Sequence, residues 1–173
     1  MSLIAVKHNI EVAHRLYATP GKCEAIHGHS MDVTMALHGT INPETGMLAK
    51  QVVEEGREKY DDKLVWDDLE FGAIKRSFRA HLDEQYDHRV LLNAADPFAG
   101  PIFALERDPT NERVFQFTDD ELKFLPGLNS VMGDPTTENI AKWIYEWGMG
   151  EGFPVSQVKV WETASNMAMY DGH

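Results

Sequence analysis

The chain has 173 residues, enough for one domain with a real core, and residues 1–173 are expected to fold as a single unit. Its formal net charge of −12 argues against nucleic acid as a partner, because phosphates call for a basic surface, and no run of about eighteen apolar residues marks a membrane span. The single cysteine excludes an internal disulfide, and the N-terminus lacks the basic start and apolar block of a secretory signal. Both features lead to an expected cytoplasmic location.

The first segment, "LIAVKHNIEVAHRLYA", is rich in residues that favour strands, and Ile10, Val12 and His14 share one face if it is extended. A loop with Pro20, Gly21 and Gly28 leads into "SMDVTMALHGTI", where Met31, Val33, Met35 and Leu37 alternate with smaller or polar residues. The pair reads as two antiparallel strands, closed by the turn "NPETG". The next stretch, up to Glu70, is charged and fits no single period. In "FGAIKRSFRAHLDEQY", Phe71, Ile74, Phe78 and Leu82 recur every three or four residues, a helical stripe. "RVFQF" is a short strand candidate. Thr136 is placed to cap a second helix whose apolar face is Ile140, Trp143, Ile144 and Trp147. "SQVKVWET" and "NMAMYDG" are two further strand candidates. The order strand-strand-helix-helix-strand-strand is an α+β antiparallel design.

The chemistry concentrates in "GKCEAIHGHS". In an extended segment His27 and His29 point the same way, and Gly28 between them lets the backbone come close. Catalytic zinc takes three protein ligands and keeps one position open, so a third imidazole is needed. His14 is the best candidate, since its strand should pair with the one leading out of the loop. Cys23 has three readings from the residues alone: a fourth ligand that closes a structural site, a thiolate base or nucleophile beside an open site, or a small buried filler. Asp87 precedes His88, and a carboxylate can orient an imidazole for acid or base work.

"AHRL", the Cys23-to-"HGH" segment, "DHRVLLN", "PTTEN" and "VWET", in that order, resemble the tetrahydropterin synthases of the tunnelling fold. The resemblance runs from His14 to Tyr170. It implies a four-stranded antiparallel sheet with two helices on one face, plus insertions, and barrels of several copies with active sites between chains, as a homo-oligomer (tetramer or hexamer). It implies zinc on His14, His27 and His29, Cys23 as catalytic thiol, and Asp87 and His88 as its partners. Glu162 is implied to anchor the pterin, with Thr136, Thr137 and Glu138 in the segment that holds the ring. The implied substrate is 7,8-dihydroneopterin triphosphate. The short spacing between Cys23 and His27 resembles the 6-carboxytetrahydropterin synthase branch, a lyase on the route to queuosine, more than the 6-pyruvoyl branch. Arg15, Lys22 and Arg89 are the cations near enough in sequence to meet the triphosphate. Rival readings are a non-catalytic domain with a closed zinc site and a zinc hydrolase of another heterocycle. Matching Glu70-Phe71 to the family implies an insertion of roughly twenty residues, Met47 to Asp68, well beyond an ordinary hairpin loop. The stretch from Ala94 to Asp134 is also long, as an added hairpin or lid would be.

Overall fold

A computed structural model describes residues 2–54, 63–93, 95–99 and 133–173. Two long strands, β1 (Ser2–His14) and β2 (His27–Ile41), pair antiparallel from Ser2 opposite Gly39 to His14 opposite His27. On its other side β2 pairs with β6 (Val155–Trp161), with a register shift between Ala36 and Leu37. β6 then pairs with β7 (Met167–Tyr170). These four strands are the expected antiparallel sheet. Val6, Ile10 and Val12 of β1, Met31, Val33, Met35 and Leu37 of β2, and Val158 and Val160 of β6 form its buried face. The period of two that orders them was visible in the sequence.

The structure adds strands to that plan. The segment expected as an insertion is a hairpin, β3 (Leu48–Glu54) and β4 (Lys63–Asp68), which joins the far end of β2 through Thr40 and Ile41. Its lack of a clear pattern has a physical cause. Only its base, Leu48 and Ala49, is buried; farther out the cross-strand pair Val53 and Leu64 is exposed, so no buried face disciplines most of the sequence. A three-residue strand, β5 (Arg89–Leu91), runs parallel to the end of β1, opposite Val12 to His14. "RVFQF" and most of the long segment before Gly133 lie outside the described residues.

Two helices share the buried face of the sheet. α1 (Phe71–Gln85) buries Ile74, Phe78 and Leu82, as its stripe predicts. α2 (Thr137–Gly150) buries Ile140, Ala141, Trp143, Ile144 and Gly148. Thr136 caps α2 by accepting a hydrogen bond from the Asn139 amide at 3.3 Å, as its residue type suggests. Gly148 allows the close approach: a Cβ there would stand 2.8 Å from the Val155 side chain and 3.1 Å from the sulfur of Met35.

Between the helices His81 stacks flat on Trp147, with ring centroids 4.0 Å apart, and its Nε2 is buried without a hydrogen-bond partner. Burial holds its pKa down to about 4. The unfolded chain, with an ordinary imidazole, therefore binds more protons below pH 6.5. The stability from a neutral His81 is complete above that pH and drains away as pH falls toward 4. Replacing His81 with Phe should leave urea unfolding at pH 7.5 comparable but remove about 2 kcal/mol of the loss seen on acidification to pH 5. A difference between the two proteins that does not change with pH would contradict this assignment.

Candidate metal centre and active site

The site forms where the buried face of three neighbouring strands turns polar. His14 continues the stripe of Val6, Ile10 and Val12. His29 continues the stripe of Met31 and Val33. Glu162, the first residue after β6, continues that of Val158 and Val160. Strand pairing sets His14 directly opposite His27. The three imidazoles cluster, with ring centroids 4.6 Å apart for His14 and His27, 5.2 Å for His14 and His29, and 5.0 Å for His27 and His29. Their ligand nitrogens lie within 4.8 Å of one another.

The donor set fits a metal ion on three grounds. His14 is fully buried, and its Nε2 has no hydrogen-bond partner, a deficit that costs about 1–3 kcal/mol if nothing is bound there. The Nδ1 of His14 donates to the Pro135 carbonyl at 2.7 Å and that of His27 to the Ala25 carbonyl at 2.8 Å, when both rings carry the Nδ1 proton. That tautomer leaves Nε2 as the free lone pair and fixes each ring, as outer partners of metal-bound imidazoles do. Burial pushes the His14 pKa below the usual imidazole range, and His27 and His29 push the same way against the Pro135 carbonyl and Glu162. A neutral ring is the ligating form.

The start of α2 closes this end of the sheet. Glu162 Oε1 stands 3.8 Å from His14 Nε2 and 3.6 Å from His29 Nε2, and it accepts a hydrogen bond from the Thr137 hydroxyl at 3.2 Å. The positive end of the helix favours a carboxylate here. Glu138 is exposed in the first turn, and Thr136 is engaged as the cap. Asp134 is buried and ties three elements together. One oxygen accepts from Asn93 Nδ2 at 2.9 Å, the other from the Ala18 amide at 2.6 Å, and its carbonyl accepts from Asn139 Nδ2 at 2.8 Å. That hub, and the Pro135 carbonyl beside it, escaped sequence reading because a carbonyl is common to every residue and carries no side-chain signal.

Cys23 sits on a single 3₁₀ turn, Lys22–Glu24, and is exposed. It is outside the histidine group, so the buried-filler reading fails and a closed four-ligand site is not formed among the described residues. Asp87 and His88 do act together. One Asp87 oxygen accepts from the Glu11 amide at 2.7 Å, and the other lies 2.7 Å from His88 Nδ1. His88 has a φ of 56°, rare for a residue with a side chain, and its amide donates to the Glu11 carbonyl at 2.6 Å. Its ring opens on a cleft of about 500 Å³ lined by Glu11, Ala13, Gly28, His29, Ser30 and Arg89. Glu11, Ala13, Gly28 and Ser30 are out of phase with the core stripe of their strands, while His29 of the histidine group lines the same cleft. Of the three expected phosphate cations, Arg15 is withdrawn. It is 8% exposed and its guanidinium is held by Asp96, with 2.5 Å between Nη1 and Oδ1.

The chain is matched by the family model for 6-pyruvoyl tetrahydropterin synthase over residues 3–72 and 55–173. It is 22% identical over 158 residues to the 6-carboxy-5,6,7,8-tetrahydropterin synthase of Rickettsia felis, covering 88% of each chain. With the Rickettsia bellii protein of the same name it shares 24% over 115 residues, which is 60% of this chain and 67% of that one. Among solved structures it resembles an uncharacterized protein of Wolinella succinogenes, with a TM-score of 0.62, 18% identity and coverage of 99% and 98%. It also resembles the 6-pyruvoyl tetrahydropterin synthase of Caenorhabditis elegans, with a TM-score of 0.57, 19% identity and coverage of 100% and 98%. These two likenesses establish the fold, and the family match extends along nearly the whole sequence: the chain belongs to the 6-pyruvoyl tetrahydropterin synthase family.

Proposed function

We propose that the protein is a zinc-dependent 6-carboxytetrahydropterin synthase. It converts 7,8-dihydroneopterin triphosphate and water to 6-carboxytetrahydropterin, triphosphate and acetaldehyde, the chemistry that feeds 7-deazapurine (queuosine) synthesis. The observation that carries the reading is the convergence of three imidazoles, with the Nδ1 positions of His14 and His27 taken by carbonyls and the buried Nε2 of His14 left without a hydrogen bond. The names of the curated relatives and the short Cys23–His27 spacing favour the carboxy product over the pyruvoyl one.

Held by His14, His27 and His29, zinc supplies Lewis-acid polarisation of the substrate's side-chain oxygens. Cys23, outside the ligand group, is free to act as a thiolate base that takes a proton from the adjacent side-chain carbon. Asp87 orients His88, whose exposed ring returns a proton to the pterin. Glu162 accepts from the amino group and ring N–H of the pterin, two donors that a carboxylate takes as a pair, with Thr137 fixing its orientation. Thr136 and Glu138 belong to the same ring-holding segment. Lys22 is the cation proposed for the triphosphate, together with Arg89, whose Nε and Nη2 also donate to the Glu84 carbonyl at 3.2 and 3.1 Å. Asp87 and His88 stand outside the histidine group, and a complete site would draw them from a neighbouring copy. That arrangement fits the homo-oligomer expected of the family.

The decisive experiment is incubation with 7,8-dihydroneopterin triphosphate and identification of products by mass spectrometry; 6-pyruvoyltetrahydropterin as the product would assign the other chemistry. Metal analysis of the purified protein should give about one zinc per chain, and His27→Ala should lose most of it, since catalytic zinc has three protein ligands. Full retention in that variant would remove the ligand assignment. Cys23→Ala should keep its zinc while turnover collapses; loss of metal together with unfolding would instead restore the closed-site reading. Glu162→Gln puts an amide donor against a ring donor, so substrate should bind about 10- to 100-fold more weakly, the loss of one charge-assisted hydrogen bond. Unchanged affinity in a binding titration would move the pterin elsewhere.

A further inference from the structure

The turn that carries Cys23 has little to hold it. None of Lys22, Cys23 and Glu24 is buried, and three residues make a single 3₁₀ turn, closed by the weak bonds from the Glu24 amide to the Gly21 carbonyl at 3.2 Å and from the Ala25 amide to the Lys22 carbonyl at 3.3 Å. Two hydrogen bonds tie the turn to the body of the protein, beside an ion pair of 3.9 Å between Arg15 Nη2 and Glu24 Oε1. The Leu16 amide donates to the Cys23 carbonyl at 2.9 Å, and Arg15 Nε donates to the Glu24 carbonyl at 2.6 Å. The second comes from a side chain that is itself anchored. Arg15 Nη1 lies 2.5 Å from Asp96 Oδ1, and the guanidinium carbon stands 4.5 Å from the centre of the Phe98 ring. The Asp96 side chain is fully buried, and its Oδ1 also accepts from the Phe98 amide at 2.8 Å. A buried charge pair of this kind is expensive to desolvate and is weak evidence of a stabilising role by itself. Its geometry does something a packed apolar pair could not: it aims one fixed N–H at the backbone beside the thiol.

We infer that Arg15 and Asp96 are a positioning pair that holds the Cys23 turn in place for proton abstraction, an inference that rests on the reading of Cys23 as the catalytic thiol. Arg15 directly follows His14, the last residue of β1, so the same strand end sets the metal centre through one residue and the thiol through the next. Asp96 secures the fork from a separate segment, with its amide bonded to the Asn93 carbonyl at 2.8 Å. Lysine at position 15 keeps the charge but has no planar fork and cannot reach both partners in fixed directions.

The test combines hydrogen exchange with steady-state kinetics on the zinc-loaded protein, comparing the native chain with Arg15→Lys and Asp96→Asn. In Arg15→Lys, exchange at the Leu16, Glu24 and Ala25 amides should speed up about tenfold or more, while Val6 and Val33 in the central strands exchange as before. Zinc content should not change. Turnover should fall by roughly 100-fold, the scale of a small misplacement of a reacting group, with KM held within about twofold. Asp96→Asn keeps an acceptor for Arg15 without its charge and should move the same amides less; it also serves if Arg15→Lys does not fold. Unchanged exchange in the turn overturns the tether. Faster exchange with unchanged turnover overturns the positioning role. If the native protein shows no turnover of 7,8-dihydroneopterin triphosphate, the functional reading fails, while the exchange result still decides whether Arg15 holds the turn.

Discussion

The register between β1 and β2 is the constraint on which everything else depends. It places His14 against His27 and sends His29 to the same face, so that three ring nitrogens meet at the end of the core. Nothing in the loop itself could do this, because the twelve residues between the two strands form no helix or strand beyond a single 3₁₀ turn. The ring positions are inherited from thirteen paired residues on each strand. A site built on paired strands holds its geometry more tightly than one built on a loop.

The second layer comes from α2. Its cap and first turn bring the Pro135 carbonyl to His14 and the Thr137 hydroxyl to Glu162. The apolar face of the same helix, Ile140, Trp143 and Ile144, anchors it in the core. Packing and chemistry are therefore joined in one rigid element: the residues that bury the helix also aim its N-terminus. Asp134 extends the connection to Asn93 and to the backbone after β1, so the elements around the histidines are tied by directional bonds as well as apolar contact.

Much of this was legible in the sequence. The alternating Met31, Val33, Met35 and Leu37 and the helical stripe of Ile74, Phe78 and Leu82 name the core because burial imposes a period on residue choice. His-Gly-His at a spacing of two places both rings on one side for the same reason. The hairpin β3–β4 was not legible as strands, since beyond its buried base at Leu48 and Ala49 the exposed Val53 and Leu64 meet no core that would enforce alternation. β5 was missed because three parallel residues carry too little pattern. The placement of Arg15 was misjudged because a cation beside a ligand reads as a phosphate contact, and only the fold brings Asp96, eighty-one residues away, beneath it. Asp87 and His88 were found as a pair, but their anchoring depends on how α1 returns to β1 through the Glu11 backbone, which no local spacing encodes.

The position of the hairpin arm bears on how such a chain can change length over time. β3 joins β2 at Thr40 and Ile41, roughly 40 Å along the strand from His29 at the rise of an extended chain. Segments can be gained or lost there without disturbing the imidazoles. Inside β1 or β2 the arithmetic is different, because side chains alternate: removing one residue between Val6 and His14 would turn that histidine to the outer face, and only even-numbered changes would keep it inward. The parity of the two central strands is thus a hereditary constraint, and length variation is admitted only where parity has no consequence, at the end of the sheet remote from the histidines.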